Sequence, residues 1–204
     1  MEWTPEETAF LSKFSEPYSI QEFLDTIEYN PNEECRSPRW VMKKRAAHCF
    51  EGALYAAAVL EFIGYSPLIV DMRAVNDDDH VIAVFREDGF WGAIAKSNFT
   101  TLRYREPVYR SLRELVMSYF DFYFNVIGEK TLRSYSRPFN LSLYNSRNWA
   151  TTDEDLEYIG DKIESLYHYP VISEDQIKNL KPAGRSLLEA GLLGSRPEGL
   201  FKPE

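Results

Sequence analysis

Between His48 and Ile63 the chain reads HCFEGALYAAAVLEFI, and no other stretch limits the fold so much. Its alanines and leucines favour helix, Cys49, Ala53, Ala56, Ala57 and Leu60 recur at helical spacing, and Gly64 supplies the stop. Small residues at Gly52, Ala53, Ala56, Ala57 and Ala58 let other backbone come close. A central helix buried against a sheet is expected. Cys49 falls in its first turn, where unpaired N–H groups carry partial positive charge and favour thiolate over thiol.

Beyond the helix the chain reads as three short strands. Pro67 to Arg73 is the first, and the polar run Asn76 to Asp79 connects it to the second. The aspartates Asp77, Asp78 and Asp79 lack the alternating ligands and glycine of a calcium loop and read as a solvated turn. His80 to Arg86 is mostly apolar, as a strand buried on both faces requires. Asp88-Gly89 signals a two-residue hairpin, with Phe90 to Ala95 returning. Glu87 then pairs with Phe90 and His80 lies opposite Ser97, so the histidine's neighbours come from Lys96, Ser97 and Asn98. A histidine base works best when its second ring nitrogen is held by an acceptor. Asn98 can supply one through its amide oxygen, and Ser97 is the alternative third member.

These residues carry a resemblance. The run SPRWVMKKRAAHCFEGALYAAAVLEFIGYSPLIV, then HVIAVF, then a return strand with Trp91, resembles the transglutaminase-like core of the papain-like cysteine enzyme superfamily over residues 36–100. In that family a cysteine opens the core helix, a histidine opens a later strand, and an Asp or Asn lies on the next. Cys49 and His80 match. At the third position this chain departs from the commonest Asp; Asn98 is aligned there, with Ala95, Lys96 or Ser97 as alternatives. The resemblance implies an acyl-cysteine route, in which Cys49 attacks a carboxamide or ester carbonyl, His80 shuttles the proton and the Cys49 N–H helps hold the oxyanion. The expected function is a thiol-dependent hydrolase or acyltransferase acting on amide bonds of a peptide or peptide-like substrate. A catalytically silent member of the fold that binds a protein partner is the alternative.

Composition bounds the rest. At 204 residues and 44% hydrophobic, the chain is expected to form one globular domain with a sizeable core. No apolar run approaches ~18 residues and the start, MEWTPEETAF, is acidic, so a cytoplasmic protein without membrane association is expected. A net charge of −9 argues against nucleic-acid binding. Cys35 and Cys49 are read as reduced thiols, and with three dispersed histidines they make no metal site. No Gly-rich phosphate loop comes after a strand, so no cofactor is expected.

The flanks are helical. Thr4, Pro5 and Glu7 predict a helix to about Phe14, and Ser19 with Glu22 one ending near Glu28. Lys43, Lys44 and Arg45 read as a solvated basic face; Arg103, Arg105, Arg110 and Arg113 are expected to pair with acids. Ser111 and Glu114 cap a helix to about Phe124, Phe139 to Tyr144 alternates like a strand, and Thr152 to Leu166 reads as an acidic helix. His168 reads as a polar residue beside a strand, and GSRPEGLFKPE as a frayed tail. The fold expected is α+β: a single domain over 1–204, with a papain-like, transglutaminase-like core over 36–125, N- and C-terminal helices, and a C-terminal decoration over 126–204.

Overall fold

The computed structural model describes residues 2–203. The chain opens with α1 (Pro5–Leu11) and α2 (Pro17–Thr26), followed by β1 (Glu28–Tyr29), α3 (Pro38–Lys44) and β2 (Ala46–Ala47). Next come α4 (Cys49–Phe62), β3 (Leu68–Ala74), β4 (His80–Glu87), β5 (Phe90–Ile94), β6 (Arg105–Tyr109) and α5 (Leu112–Phe120). The remainder comprises β7 (Leu132–Ser136), β8 (Phe139–Asn140), α6 (Glu157–Glu164), β9 (His168–Pro170), α7 (Glu174–Ile177) and α8 (Arg185–Gly191). The fold is α+β, built on one antiparallel sheet in the order β6-β5-β4-β3-β7-β9, with β8 also on β3.

The capping box of α1 forms as expected: the Glu7 N–H donates to Thr4 Oγ1 at 3.2 Å and the Thr4 N–H to Glu7 Oε2 at 2.9 Å. The second helix begins earlier than expected, because Pro17 occupies its first turn, where a missing N–H costs nothing. Helix α4 is buried from Phe50 to Leu60, on every side, as an apolar helix must be. Gly52 lets the helix pack tightly on the chain just past β5: a Cβ there would stand 2.4 Å from Lys96 Cβ. Lys96 is itself buried, and its Nζ donates to the Leu24 and Ile27 carbonyls at 2.9 and 2.6 Å, capping α2.

The β4–β5 hairpin has the expected register, Glu87 against Phe90, over an Asp88-Gly89 turn with φ of +50° and +88°. Strand β4 is buried on both faces. Val81, Ala83 and Phe85 join the core under α4, whereas Ile82 and Val84 join a second core shared with α5.

The stretch after residue 126, expected as a decoration, instead completes this sheet. Strand β7 pairs with β3 on the side away from β4, and β9 pairs with β7. Strand propensity alone did not mark LRSYS or HYP, whose partners lie far away in sequence. The Phe139–Tyr144 strand is also shorter than expected, since Asn140 Oδ1 accepts from the Ser142 N–H and turns the chain into a 3₁₀ helix. Among the described residues, no helix is long and apolar enough to cross a membrane.

Candidate active site

Cys49 is the first residue of α4. His48 precedes it as N-cap and its N–H donates to Glu51 Oε2 at 3.1 Å. Glu51 is completely buried and also accepts from Asn30 Nδ2 at 3.0 Å and the Arg36 N–H at 3.1 Å. The carboxylate therefore ties Asn30 and Arg36, from the segment between β1 and α3, to the start of α4. Parallel pairing of β1 with β2, Tyr29 against Ala47, brings the Tyr29 ring alongside.

The Cys49 thiol lies against the backbone at the start of β4. Its Sγ donates to the Asp79 carbonyl at 3.7 Å. His80 is 4% exposed; its Nε2 donates to the Leu102 carbonyl at 3.0 Å and its ring meets the Tyr123 ring edge-on at 6.3 Å. Both residues line one cavity of about 40 Å³, together with Tyr29, Ser97, Asn98 and Phe201. No hydrogen bond joins Cys49 to His80 among the described residues. Strand alternation gives the reason: His80 has the parity of Ile82 and Val84, on the α5 face, while α4 packs over Val81 and Ala83.

Neither expected third member holds the imidazole. Asn98 Nδ2 donates to the Arg196 carbonyl at 2.9 Å and its Oδ1 accepts the Arg196 N–H at 2.8 Å. Ser97 Oγ accepts the Phe99 N–H at 3.0 Å. The acceptor that fixes His80 is a backbone carbonyl, which residue-type reasoning cannot find. With Nε2 as the donor, the Nδ1 lone pair is left open, the tautomer a general base needs.

The electrostatics correct the expectation of a low-pKa thiolate. Burial pushes the Cys49 thiol up to about 11, and the Asp78 and Asp71 carboxylates add to it, outweighing the Val81 and Phe50 N–H groups. Burial also pulls His80 down to about 4. Cysteine and histidine are both neutral at pH 7. Cys35 is buried enough to be pushed up to about 12, and the two cysteines are not joined.

Beside the small cavity, and sharing Cys49 and Tyr29 with it, opens a larger cleft of about 480 Å³. Glu33, Asp71, Asp78, Asp79, Glu164 and Glu198 line it, with no Lys or Arg among the lining residues. The basic run upstream of Cys49 turns elsewhere: Lys43 faces Glu7 at 3.7 Å, while Arg45 donates to Thr26 Oγ1 and stacks over Phe23. Of the later arginines, Arg103 pairs with Asp25 at 3.0 Å. Arg105 stacks on Tyr119 at 3.9 Å, and Arg113 donates to the Val171 carbonyl.

Sequence reasoning missed a buried pair whose aspartate lines this cleft. His168 Nε2 lies 2.8 Å from Asp71 Oδ2 and its Nδ1 2.8 Å from the Leu166 carbonyl, and both side chains are almost fully buried. Burial raises the Asp71 carboxyl, against the lowering effect of His168. An aspartate in the otherwise apolar run LIVDM was the available signal. No group of His, Cys, Asp and Glu among the described residues has the arrangement to hold a metal ion. Compared with known proteins, the chain matches no family model and has no significant match among curated sequences.

Proposed function

We propose that the chain is a thiol-dependent hydrolase or acyltransferase acting on amide bonds of a peptide or peptide-like substrate through an acyl-cysteine intermediate. A papain-like, transglutaminase-like core and action in the cytoplasm belong to the same reading. The observation that carries it is the shared cavity: Cys49 at the start of a buried helix, and His80 with Nε2 anchored and Nδ1 open. From a neutral pair, attack begins with the S–H proton passing to His80 Nδ1 as sulfur bonds the carbonyl carbon. That proton then leaves with the amine as the C–N bond breaks, giving a thioester. Water or a second amine takes the acyl group and restores the thiol. The backbone N–H of Cys49, at the start of α4, would help hold the oxyanion.

One observation favours a second reading, a silent fold that binds a protein partner. Cys49 and His80 are not hydrogen-bonded to each other and both are neutral, in carboxylate-rich surroundings. The two readings separate on incubation with carboxamide peptides, acid quench and peptide mapping. The enzyme reading expects an acyl adduct on Cys49, absent from Cys49→Ser and strongly reduced in His80→Ala. Turnover that survives either substitution contradicts it.

A further inference from the structure

The segment after α8, expected to be frayed, runs instead across the site. Leu192 and Leu200 pack on the second core, and Thr100 Oγ1 donates to the Leu193 carbonyl at 2.7 Å. Arg196 is then clamped twice. Its backbone N–H and carbonyl make a two-point hydrogen bond with the Asn98 amide at 2.8 and 2.9 Å, and its guanidinium reaches Glu28 at 3.0 Å. Pro197 to Gly199 form a single 3₁₀ turn. Gly199 comes so close to the Tyr29 ring that a Cβ would stand 2.5 Å from Tyr29 Cε1. Gly199 and Phe201 line the small cavity with Cys49 and His80, and Glu198 to Phe201 also line the larger cleft.

Cys49 also lines the larger cleft, but the space it shares with His80 is about 40 Å³, room for a water or two and not for an amide with its flanking groups. We propose that residues 196–201 form a strap that closes the space between Cys49 and His80 and narrows the larger cleft in cis, and that it must swing away before a peptide carbonyl can sit between sulfur and imidazole. The inference rests on the reading of this cleft as the working site, but access can be measured without turnover. Asn98 then has a role other than holding the histidine: it is the latch. An incoming peptide must first displace Arg196 from that amide. Asn98 lies just beyond the end of β5, so the latch is fixed to the same hairpin that carries His80.

The test is the rate of Cys49 alkylation by iodoacetamide at one fixed pH, followed by peptide mapping in the intact chain. Gly199→Val drives a side chain into Tyr29 and should lift the strap, raising the rate about tenfold. Arg196→Glu sets two carboxylates face to face and should raise it about threefold, and Glu28→Arg combined with Arg196→Glu should return it to the wild-type value. A rate within twofold of wild type in Gly199→Val overturns the strap. If that variant does not melt cooperatively, the charge pair decides instead: an unchanged rate in Arg196→Glu, or no recovery in the double variant, overturns it. Cys49 and His80 are untouched throughout, so the comparison reads access alone. Failure of catalysis would leave these ratios standing, and failure of the strap would leave catalysis open.

Discussion

Two histidine side chains are buried, His80 in the cavity it shares with Cys49 and His168 against Asp71 of the larger cleft, and their partners differ. His168 faces a carboxylate at one nitrogen and a carbonyl at the other, so neither is open to a reacting group. His80 has one nitrogen on a carbonyl and the other without a hydrogen bond among the described residues. The histidine with the carboxylate looks more like a member of a triad, yet it is the one fully engaged in joining β9 to β3. A buried charge-assisted pair is a strong structural tie once formed, because losing one member strands the other. A neutral imidazole held at one end is cheaper to bury and leaves a proton acceptor.

The contrast predicts unequal costs. Asp71→Ala should destabilise the protein by ~3 kcal/mol in urea unfolding, since it leaves His168 buried without its acceptor. A cost below ~1 kcal/mol would show the pair to be dispensable. His80→Gln keeps a donor toward Leu102 and should cost much less at pH 7.

Acid should reveal the next effect. His80 ionises near 6.5 when unfolded but near 4 in the fold, so the unfolded chain takes up the proton first. Its contribution is present above pH 6.5 and is lost as pH falls towards 4, a span worth ~3 kcal/mol. Asp77 works in the opposite sense, because burial raises its carboxyl to about 6 and stability from it is lost as pH rises through that value. Urea titrations of wild type against His80→Gln isolate the histidine. Parallel stability-versus-pH curves would mean His80 is not held neutral.

A smaller effect tests the acidic surroundings. Asp78 is among the carboxylates that hold the Cys49 thiol protonated. Asp78→Asn should therefore speed alkylation at pH 8 by about twofold, with no comparable change at Cys35. An equal change at both thiols would point to a general loosening instead.

Much of this arrangement was legible in the sequence wherever partners are near neighbours. The α4 helix, the Asp88-Gly89 turn and the register of the β4–β5 hairpin all come from periodicity and turn chemistry. Partners distant in sequence were not legible. Leu102 holds His80 through a carbonyl every residue possesses, His168 meets an aspartate 97 positions away, and Asn98 is taken by Arg196, 98 positions away. The same limit explains the thiol. A helix N-terminus argued for thiolate, but burial and the Asp78 and Asp71 carboxylates come from the tertiary fold and reverse it.

The central claim is that His80 acts as base for Cys49. It is tested most directly by the pH profile of iodoacetamide alkylation at Cys49, with and without His80→Ala, in wild type and in Gly199→Val. General-base assistance by a neutral imidazole predicts a rate nearly independent of pH from about 5 to 8. His80→Ala should abolish that plateau and leave a rate rising about tenfold per pH unit towards the thiol's own ionisation. A steep rise with and without His80, even in Gly199→Val, would contradict the account.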